Sequence, residues 1–213
     1  MSGSENNLVS SPDKDLIQLV NSFRQRDDFI DRYLIDLVQM INDLDRNAIW
    51  TVTQVLMEAW QRGSTVFIMG NGGSAATASH MANDLNKFTV TPGKKRFRAI
   101  ALTDNIPWMT ALGNDDSYES IFSEQVINLV DPGDVLIAIS ASGNSPNVLR
   151  AVEVGRQLGA VTIAFTGDTG GRLKDLVDHF VLAPSPKIGP QEDCHMILDH
   201  VISNTLKPLI NET

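Results

Sequence analysis

The chain has 213 residues, 42% hydrophobic and 20% charged, which suits one globular domain with a sizeable core. Its net charge of −9 argues against nonspecific nucleic-acid binding, because phosphate contacts need clustered lysine and arginine. The single cysteine, Cys194, excludes an internal disulfide and favours a reducing cytoplasm. The polar N-terminus has no signal-peptide core, and no apolar run reaches the ~20 residues of a membrane helix.

The N-terminal part of the chain is predicted to be helical behind a flexible tail. Residues 1–13 are polar and are expected to be mobile. Apolar residues recur at helical spacing over residues 15–44 and again over 46–62, where Gly63 is the predicted stop. We therefore predict that residues 14–62 form helices that pack on the domain or on a neighbouring subunit.

Five short apolar runs alternate with helical patterns over residues 63–213. The runs read TVFIM, RAIAL, VLIAI, VTIAF and HFVLA. Strands that alternate with helices indicate a parallel sheet that is covered on both faces. A last helix is predicted over about residues 191–206, with Pro208 as its stop. The predicted fold is α/β, a doubly wound five-stranded parallel sheet with an N-terminal helical extension.

Two of the predicted strands end in loops rich in small polar residues. The first strand leads into GNGGSAA and the third into SASGNSPN, and each loop runs directly into a helix. Ser145 and Pro146 are the predicted cap and first residue of the second of these helices. Glycine lets the backbone approach an anion, serine hydroxyls donate hydrogen bonds, and a helix N-terminus adds N–H groups. At the carboxyl edge of a parallel sheet, this pair of loops predicts a site for a phosphorylated small molecule.

A dinucleotide site is the alternative interpretation of the first loop. Gly70, Gly72 and Ala75 fit the pattern G-x-G-x-x-A. That fold also needs an acidic residue about 20 positions further on, where this chain reads TPGKK, and Asp104 comes late for this role. The second serine-rich loop favours a sugar phosphate, and simple tight turns with helix caps are the third interpretation.

The motifs GNGGSAATASH and ISASGNSPNV resemble the sugar isomerase (SIS) domain family, above all its phosphoheptose isomerase branch. The resemblance covers about residues 48–209 and includes ALTDN, GNDDSYESIFSEQV and TGDTGGRL. The replication-initiator-associating proteins are near relatives that are not enzymes. The resemblance implies a homotetramer with active sites at subunit interfaces, which interconverts sedoheptulose 7-phosphate and D-glycero-D-manno-heptose 7-phosphate. It also implies one Zn²⁺ per subunit.

The resemblance further implies a set of substrate-binding residues at the ends of the strands. They are Asn71, Gly72 and Ser74 in the first loop, Asp104 after the second strand, and Ser140, Ser142 and Ser145 in the second loop. Two positions depart from the family pattern, since Ala141 replaces a threonine and Phe88 replaces a basic residue. These departures leave the choice of sugar open.

His80 and Asp84 are four residues apart on a predicted helix and therefore share a face, where they suit one Zn²⁺ or form a simple hydrogen-bonded pair. The resemblance places both at ligand positions, with Asp84 in the place of a glutamate that is also a catalytic acid/base. In the last helix it places Glu192 at a glutamine ligand and His200 at a ligand histidine that is the second acid/base. Because Glu192 and His200 are ~12 Å apart along a helix, His195 is an alternative ligand.

The resulting hypothesis is a ketose–aldose isomerase that works through an enediol, with Asp84 and His200 moving the proton. The implied metal ligands are His80, Asp84, Glu192 and His200. The glutamate at 192 adds negative charge to this set, which strengthens the case for a cation. A non-catalytic tetramer that binds a partner protein and a phosphosugar-sensing module are the alternatives. The four ligand-type side chains favour the enzyme.

Overall fold

The structure, a computed structural model, describes residues 26–213, with side chains from residue 29 onwards. The predicted tail and residues 15–25 of the first predicted helix lie outside these residues. The chain divides into two units, residues 1–42 and 43–213. In the first unit the structure describes one helix, α1 (Arg26–Asn42), in a segment where the sequence predicted a helix.

The second unit is built on a five-stranded sheet in which every neighbouring pair of strands is parallel. The strands are β1 (Thr65–Gly70), β2 (Arg98–Ala101), β3 (Val135–Ser140), β4 (Val161–Thr166) and β5 (His179–Leu182). Their order across the sheet is β2-β1-β3-β4-β5. All residues of β1 and β3 are buried, as expected for central strands that are covered on both faces. The predicted α/β fold with five parallel strands is confirmed.

The second unit contains seven α-helices. They are α2 (Arg46–Arg62), α3 (Gly73–Asn83), α4 (Ile106–Asp115), α5 (Ser123–Leu129), α6 (Pro146–Gln157), α7 (Leu173–Leu176) and α8 (Ile188–Glu212). On one face, Phe67 and Met69 of β1 and Leu136 of β3 form a core with apolar residues of α5 and α6. The alternate strand residues point to the other face, and there α8 contacts both α2 and α3. This two-sided arrangement brings α3 and α8 side by side.

The helix boundaries follow the capping residues in the sequence. The Asp45 side chain accepts hydrogen bonds from the first N–H groups of α2, and Gly63 ends that helix with a φ of 78°. Ser145 caps α6, and Pro146 is its first residue. The predicted stop at Gly63 and the predicted start of α6 are therefore confirmed.

The prediction that Pro208 ends the last helix is wrong, because α8 continues through it to Glu212. Proline lacks an N–H group, so the Asn204 carbonyl loses its helical partner. Asn204 is exposed, which leaves that carbonyl open to water, and Ile210 beyond it is buried. Packing of the last turn thus outweighs the lost hydrogen bond. Within residues 26–213, none of the helices combines the length and apolar character that a bilayer crossing requires.

Candidate active site

The strand order opens a crevice between β1 and β3. These strands are neighbours, but the chain continues from β1 towards β2 at one edge and from β3 towards β4 on the other side. Ligands of open α/β sheets bind at such a switch point, beyond the carboxyl ends of the strands. Residues 71–74 after β1, the first serine loop, and residues 140–145 after β3, the second serine loop, meet there.

A cleft of about 360 Å³ lies between the two serine loops. Five of the predicted substrate-binding residues line it, namely Asn71, Ser74, Ser140, Ser142 and Ser145. Gly72 caps α3 with a φ of 56°, which glycine adopts without strain. Asp104 lies in a 3₁₀ turn after β2, where its carboxylate accepts a hydrogen bond from the Ser79 hydroxyl. The substrate-binding roles of all seven residues stay predictions.

The cleft presents hydrogen-bond donors to a ligand. The Ser140 and Ser145 hydroxyl oxygens are 3.4 Å apart, and the Ser142 hydroxyl accepts a hydrogen bond from the Asn144 N–H group. Neither α3 nor α6 has a hydrogen bond from the side chain of its N-cap residue. Hydroxyl groups beside helix N-termini form a suitable environment for a phosphate group.

An amide pair joins the two serine loops. The Asn71 and Asn147 side chains donate to each other's oxygen, both at 2.9 Å, and the Tyr118 hydroxyl donates to the Asn71 oxygen at 3.0 Å. Asn71 is thus engaged in holding the loops together, and one N–H of its amide is left for a ligand. The sequence analysis missed Asn147, since the Ser-Pro-Asn stretch indicated only the start of a helix.

A glycine contact fixes the second serine loop against the loop after β4. Gly143 has a φ of 61°, and a Cβ atom there would clash with the Gly170 carbonyl oxygen. The Gly143 carbonyl in turn accepts a hydrogen bond from the Leu173 N–H group at 2.9 Å. Only glycine allows this close approach, which holds the loop in position without a ligand.

Four charged or titratable side chains gather where α3 and α8 meet, and we name them the His/Asp cluster. They are His80, Asp84, Asp199 and His200, and one ligand atom of each lies within 4.8 Å of the others. His80 Nε2 is 3.1 Å from His200 Nε2, 3.7 Å from Asp84 Oδ2 and 3.9 Å from Asp199 Oδ2. Three of the four predicted metal ligands are therefore together in one chain. Asp84 begins a π-helical turn, Asp84–Phe88, a feature that is frequent at functional sites.

Glu192, the fourth predicted ligand, is outside this group. It lies inside the regular part of α8, eight residues or ~12 Å of helix before His200. Its carboxylate lines the cleft and lies against the start of α3, where a Cβ on Gly73 would be 2.6 Å from Oε1. The ligand roles of Glu192, His80, Asp84 and His200 stay predictions.

Burial dominates the electrostatics of the cluster. Asp199 is fully buried, and within the part of the chain that the structure describes neither of its carboxylate oxygens has a hydrogen-bond partner. Burial, followed by the nearby Asp84 charge, raises the pKa of Asp199 to about 7. His195, four residues earlier, is buried, and among residues 26–213 neither ring nitrogen makes a hydrogen bond of good geometry. Burial lowers its pKa, and the Thr166 backbone opposes this shift. Burial also raises the pKa of the Cys194 thiol to about 12, which makes it unreactive at neutral pH.

The His/Asp cluster fits a divalent cation. An unpaired buried carboxylate is costly, and a second carboxylate nearby adds repulsion. A bound cation offsets both the cost of burying the carboxylate and the repulsion between the two carboxylates. Two imidazoles and two carboxylates form a donor set that suits Zn²⁺. The sequence analysis missed Asp199, because adjacent positions 199 and 200 point ~100° apart on a helix and spacing alone does not predict that they converge.

Comparisons with known proteins show which family the chain resembles. The family model described as the SIS domain matches residues 30–167. The phosphoheptose isomerase of Aquifex aeolicus is 42% identical over 164 residues, which cover 76% of this chain and 84% of that protein. The phosphoheptose isomerase of Trichlorobacter lovleyi is 38% identical over 184 residues, 84% of this chain and 92% of that protein. The solved structure of phosphoheptose isomerase from Neisseria gonorrhoeae has a TM-score of 0.80 at 26% identity, covering 86% of this chain and 100% of that one.

The chain belongs to the SIS domain family. Within that family it belongs to the phosphoheptose isomerase branch, and it is a phosphosugar isomerase. The family, which was predicted from the two serine loops, and the enzyme class, which was predicted from the four ligand-type side chains, are thereby confirmed.

Proposed function

We propose that the protein interconverts sedoheptulose 7-phosphate and D-glycero-D-manno-heptose 7-phosphate, using a Zn²⁺ ion at the His/Asp cluster. The observation that carries this proposal is that the cleft and the cluster lie at different heights along the same two neighbouring helices, α3 and α8. Gly73 and Glu192 mark the level of the cleft, whereas His80 and His200 mark the level of the cluster.

The separation of the two levels suits a long, open-chain substrate. Gly73 and His80 are seven residues apart on α3, which corresponds to ~10.5 Å of helix. An extended seven-carbon sugar phosphate spans ~10 Å from C1 to phosphorus, given carbon–carbon bonds of about 1.5 Å. With its phosphate in the cleft, such a sugar reaches the cluster with C1 and C2, whereas a three-carbon sugar phosphate is too short.

In the proposed mechanism, the serine loops hold the phosphate and Asp84 and His200 transfer protons. Converting the ketose to the aldose removes a proton from C1, forms an enediol and adds a proton at C2. One of the two groups makes this carbon-to-carbon transfer, and the other moves a proton between the oxygens on C1 and C2. The side chains of His80, Asp84 and His200 would hold the cation, which when bound polarises the substrate carbonyl as a Lewis acid.

The decisive test follows turnover of sedoheptulose 7-phosphate by three proteins. We expect His200→Ala to lower kcat/KM by about 10²–10⁴-fold, the usual contribution of a general acid or base. His179→Ala is the matched control, because His179 lies on β5 and lines neither the cleft nor the cluster. Equal turnover by wild type and His200→Ala would remove His200 from the mechanism, and no turnover by wild type would exclude this substrate.

The homotetramer in the cytoplasm that the family resemblance implies is also part of the proposal. Helix α1 supports it, because Ile30, Leu34, Ile35 and Val38 each expose more than half of their surface. Exposed apolar side chains at helical spacing are typical of surfaces that another chain covers. Light scattering should give four times the chain mass of 23.3 kDa, and a monomer mass would contradict the tetramer.

A further inference from the structure

We infer that Asp199, rather than Glu192, supplies the fourth side chain of the cation site. The inference rests on the proposed function in one respect, because it concerns the same His/Asp cluster. It differs from the ligand set that the family resemblance implies, and all four ligands then lie on α3, on the π-helical turn that follows it or on α8 of one chain. A substrate oxygen would bind as a fifth ligand, since zinc can become five-coordinate during catalysis.

The burial of Asp199 is the first observation behind this inference. Its side chain is 0% exposed, and among the described residues neither carboxylate oxygen finds a hydrogen-bond donor. A carboxylate in that state costs several kcal/mol unless it is paired or bound to a metal. No arginine or lysine is paired with it among the described residues. Its carboxylate is 3.9 Å from His80 Nε2, and ligand atoms of Asp84 and His200 lie within 4.8 Å. The oxygen nearest to a possible cation is therefore already directed at the cluster.

The distances within the cluster are the second observation. Tetrahedral Zn²⁺ with bonds of ~2.0–2.1 Å requires ligand atoms ~3.3–3.4 Å apart. The distances from His80 Nε2 are 3.1 Å to His200 Nε2, 3.7 Å to Asp84 Oδ2 and 3.9 Å to Asp199 Oδ2. These three values bracket the tetrahedral edge, and all the other separations in the cluster are within 4.8 Å, so side-chain movements bring the four atoms around one ion.

The position of Glu192 is the third observation. Its carboxylate lies at the N-terminus of α3, where the helix dipole favours a negative charge. To reach the cluster it would have to leave that position and cross about two helical turns towards His200. Glu192 therefore belongs to the cleft, where it faces the substrate side of the site, and Asp199 belongs to the cation.

Zinc binding to the metal-free, full-length protein tests the inference. Titration calorimetry with Zn²⁺ should show at least a 10-fold loss of affinity for Asp199→Asn, since even indirect partners of metal ligands contribute 10–100-fold. Glu192→Gln, the matched carboxylate-to-amide control, should stay within about threefold of wild type. The visible absorption of bound Co²⁺ should change for Asp199→Asn and not for Glu192→Gln, as expected when one ligand is lost.

Two opposite results would overturn the inference. One is wild-type Zn²⁺ affinity in Asp199→Asn, and the other is a large loss in Glu192→Gln alone. Circular dichroism of the metal-free variants checks folding, and Asp199→Leu, which fills the same buried space with an apolar group, replaces Asp199→Asn if that variant does not fold.

The assay of sedoheptulose 7-phosphate separates this inference from the proposed function. Zinc binding that depends on Asp199 in a protein without turnover sustains the inference and rejects the substrate. Turnover with zinc binding that is insensitive to position 199 rejects the inference and sustains the substrate.

Discussion

The cleft and the His/Asp cluster lie along the same two helices but differ in what each needs from a ligand. The cleft is lined mainly by hydroxyls, amides and glycine turns, with the carboxylates of Asp168 and Glu192 at its wall, and its loops are joined by hydrogen bonds such as the Asn71–Asn147 pair. The cluster places Asp199, buried and unpaired, close to Asp84 and two histidines. The cleft is therefore preformed, whereas the cluster is electrostatically incomplete until a cation binds. Removal of a cation should therefore affect the cluster and leave the hydrogen bonds of the cleft intact.

Removal of the cation should have the largest effect and should separate the two regions. We expect a chelator to lower turnover by at least 10³-fold, because the substrate carbonyl loses its Lewis acid. Binding of inorganic phosphate to the cleft, measured by calorimetry, should change by less than about threefold. Full turnover in a protein whose metal content is zero would show that the cluster does not need a cation.

A substitution in the second serine loop should give the converse result. Ser142→Ala removes a hydroxyl from the lining of the cleft. A hydrogen bond to a charged group contributes ~1.5–3 kcal/mol, so KM should rise about 10–150-fold while Zn²⁺ affinity is unchanged. Ser64→Ala, at the opposite end of β1, is the control. An unchanged KM for Ser142→Ala would place the phosphate elsewhere.

The amide pair tests whether the cleft is held by its own hydrogen bonds. Asn147→Ala removes two hydrogen bonds of 2.9 Å to Asn71 and should lower the free energy of unfolding by ~1–3 kcal/mol. In a double-mutant cycle by urea denaturation, Asn71→Ala should add little to Asn147→Ala, because both remove the same pair. Fully additive losses would mean that the two side chains do not stabilise each other.

His195 should give the smallest effect, and it depends on pH. Burial lowers the pKa of His195 in the folded state, so on acidification this side chain is protonated in the unfolded state first. The free energy of unfolding therefore falls below pH ~6.5, the ordinary pKa of histidine. In metal-free protein, the loss between pH 7.5 and 5.5 from this residue is at most ~1.4 kcal/mol. His195→Leu should show a smaller acid loss than wild type in urea denaturation at the two pH values. Identical losses would mean that His195 titrates normally in the fold.

The cleft could be predicted from the sequence because its residues are contiguous. A strand, a glycine or serine turn and a helix start occur in order along the chain, and Ser140 to Ser145 are read in one stretch. The cluster joins residues more than a hundred positions apart, so only the family resemblance related His80 to His200. Spacing along one helix predicted the pair His80 and Asp84, since i and i+4 share a face.

Other features depended on packing that the sequence pattern does not encode. Asp199 is recognisable as a member of the cluster only once its burial and the position of α3 are known. The start of α8 at Ile188 places Glu192 inside a regular helix, two turns from His200, whereas the sequence left that geometry open. Pro208 was predicted to end the helix because proline is unfavourable inside helices. The helix nevertheless continues, because the burial of Ile210 stabilises its last turn.

The central claim is that one substrate spans both regions, with its phosphate in the cleft and its reacting carbons at the cluster. Anomalous X-ray diffraction at the zinc edge, from crystals grown with Zn²⁺ and sedoheptulose 7-phosphate, tests it most directly. We predict a zinc peak between His80 and His200, with the phosphate between the two serine loops and C1 and C2 beside the metal. A phosphate outside those loops, or a zinc peak remote from His80, would contradict the account.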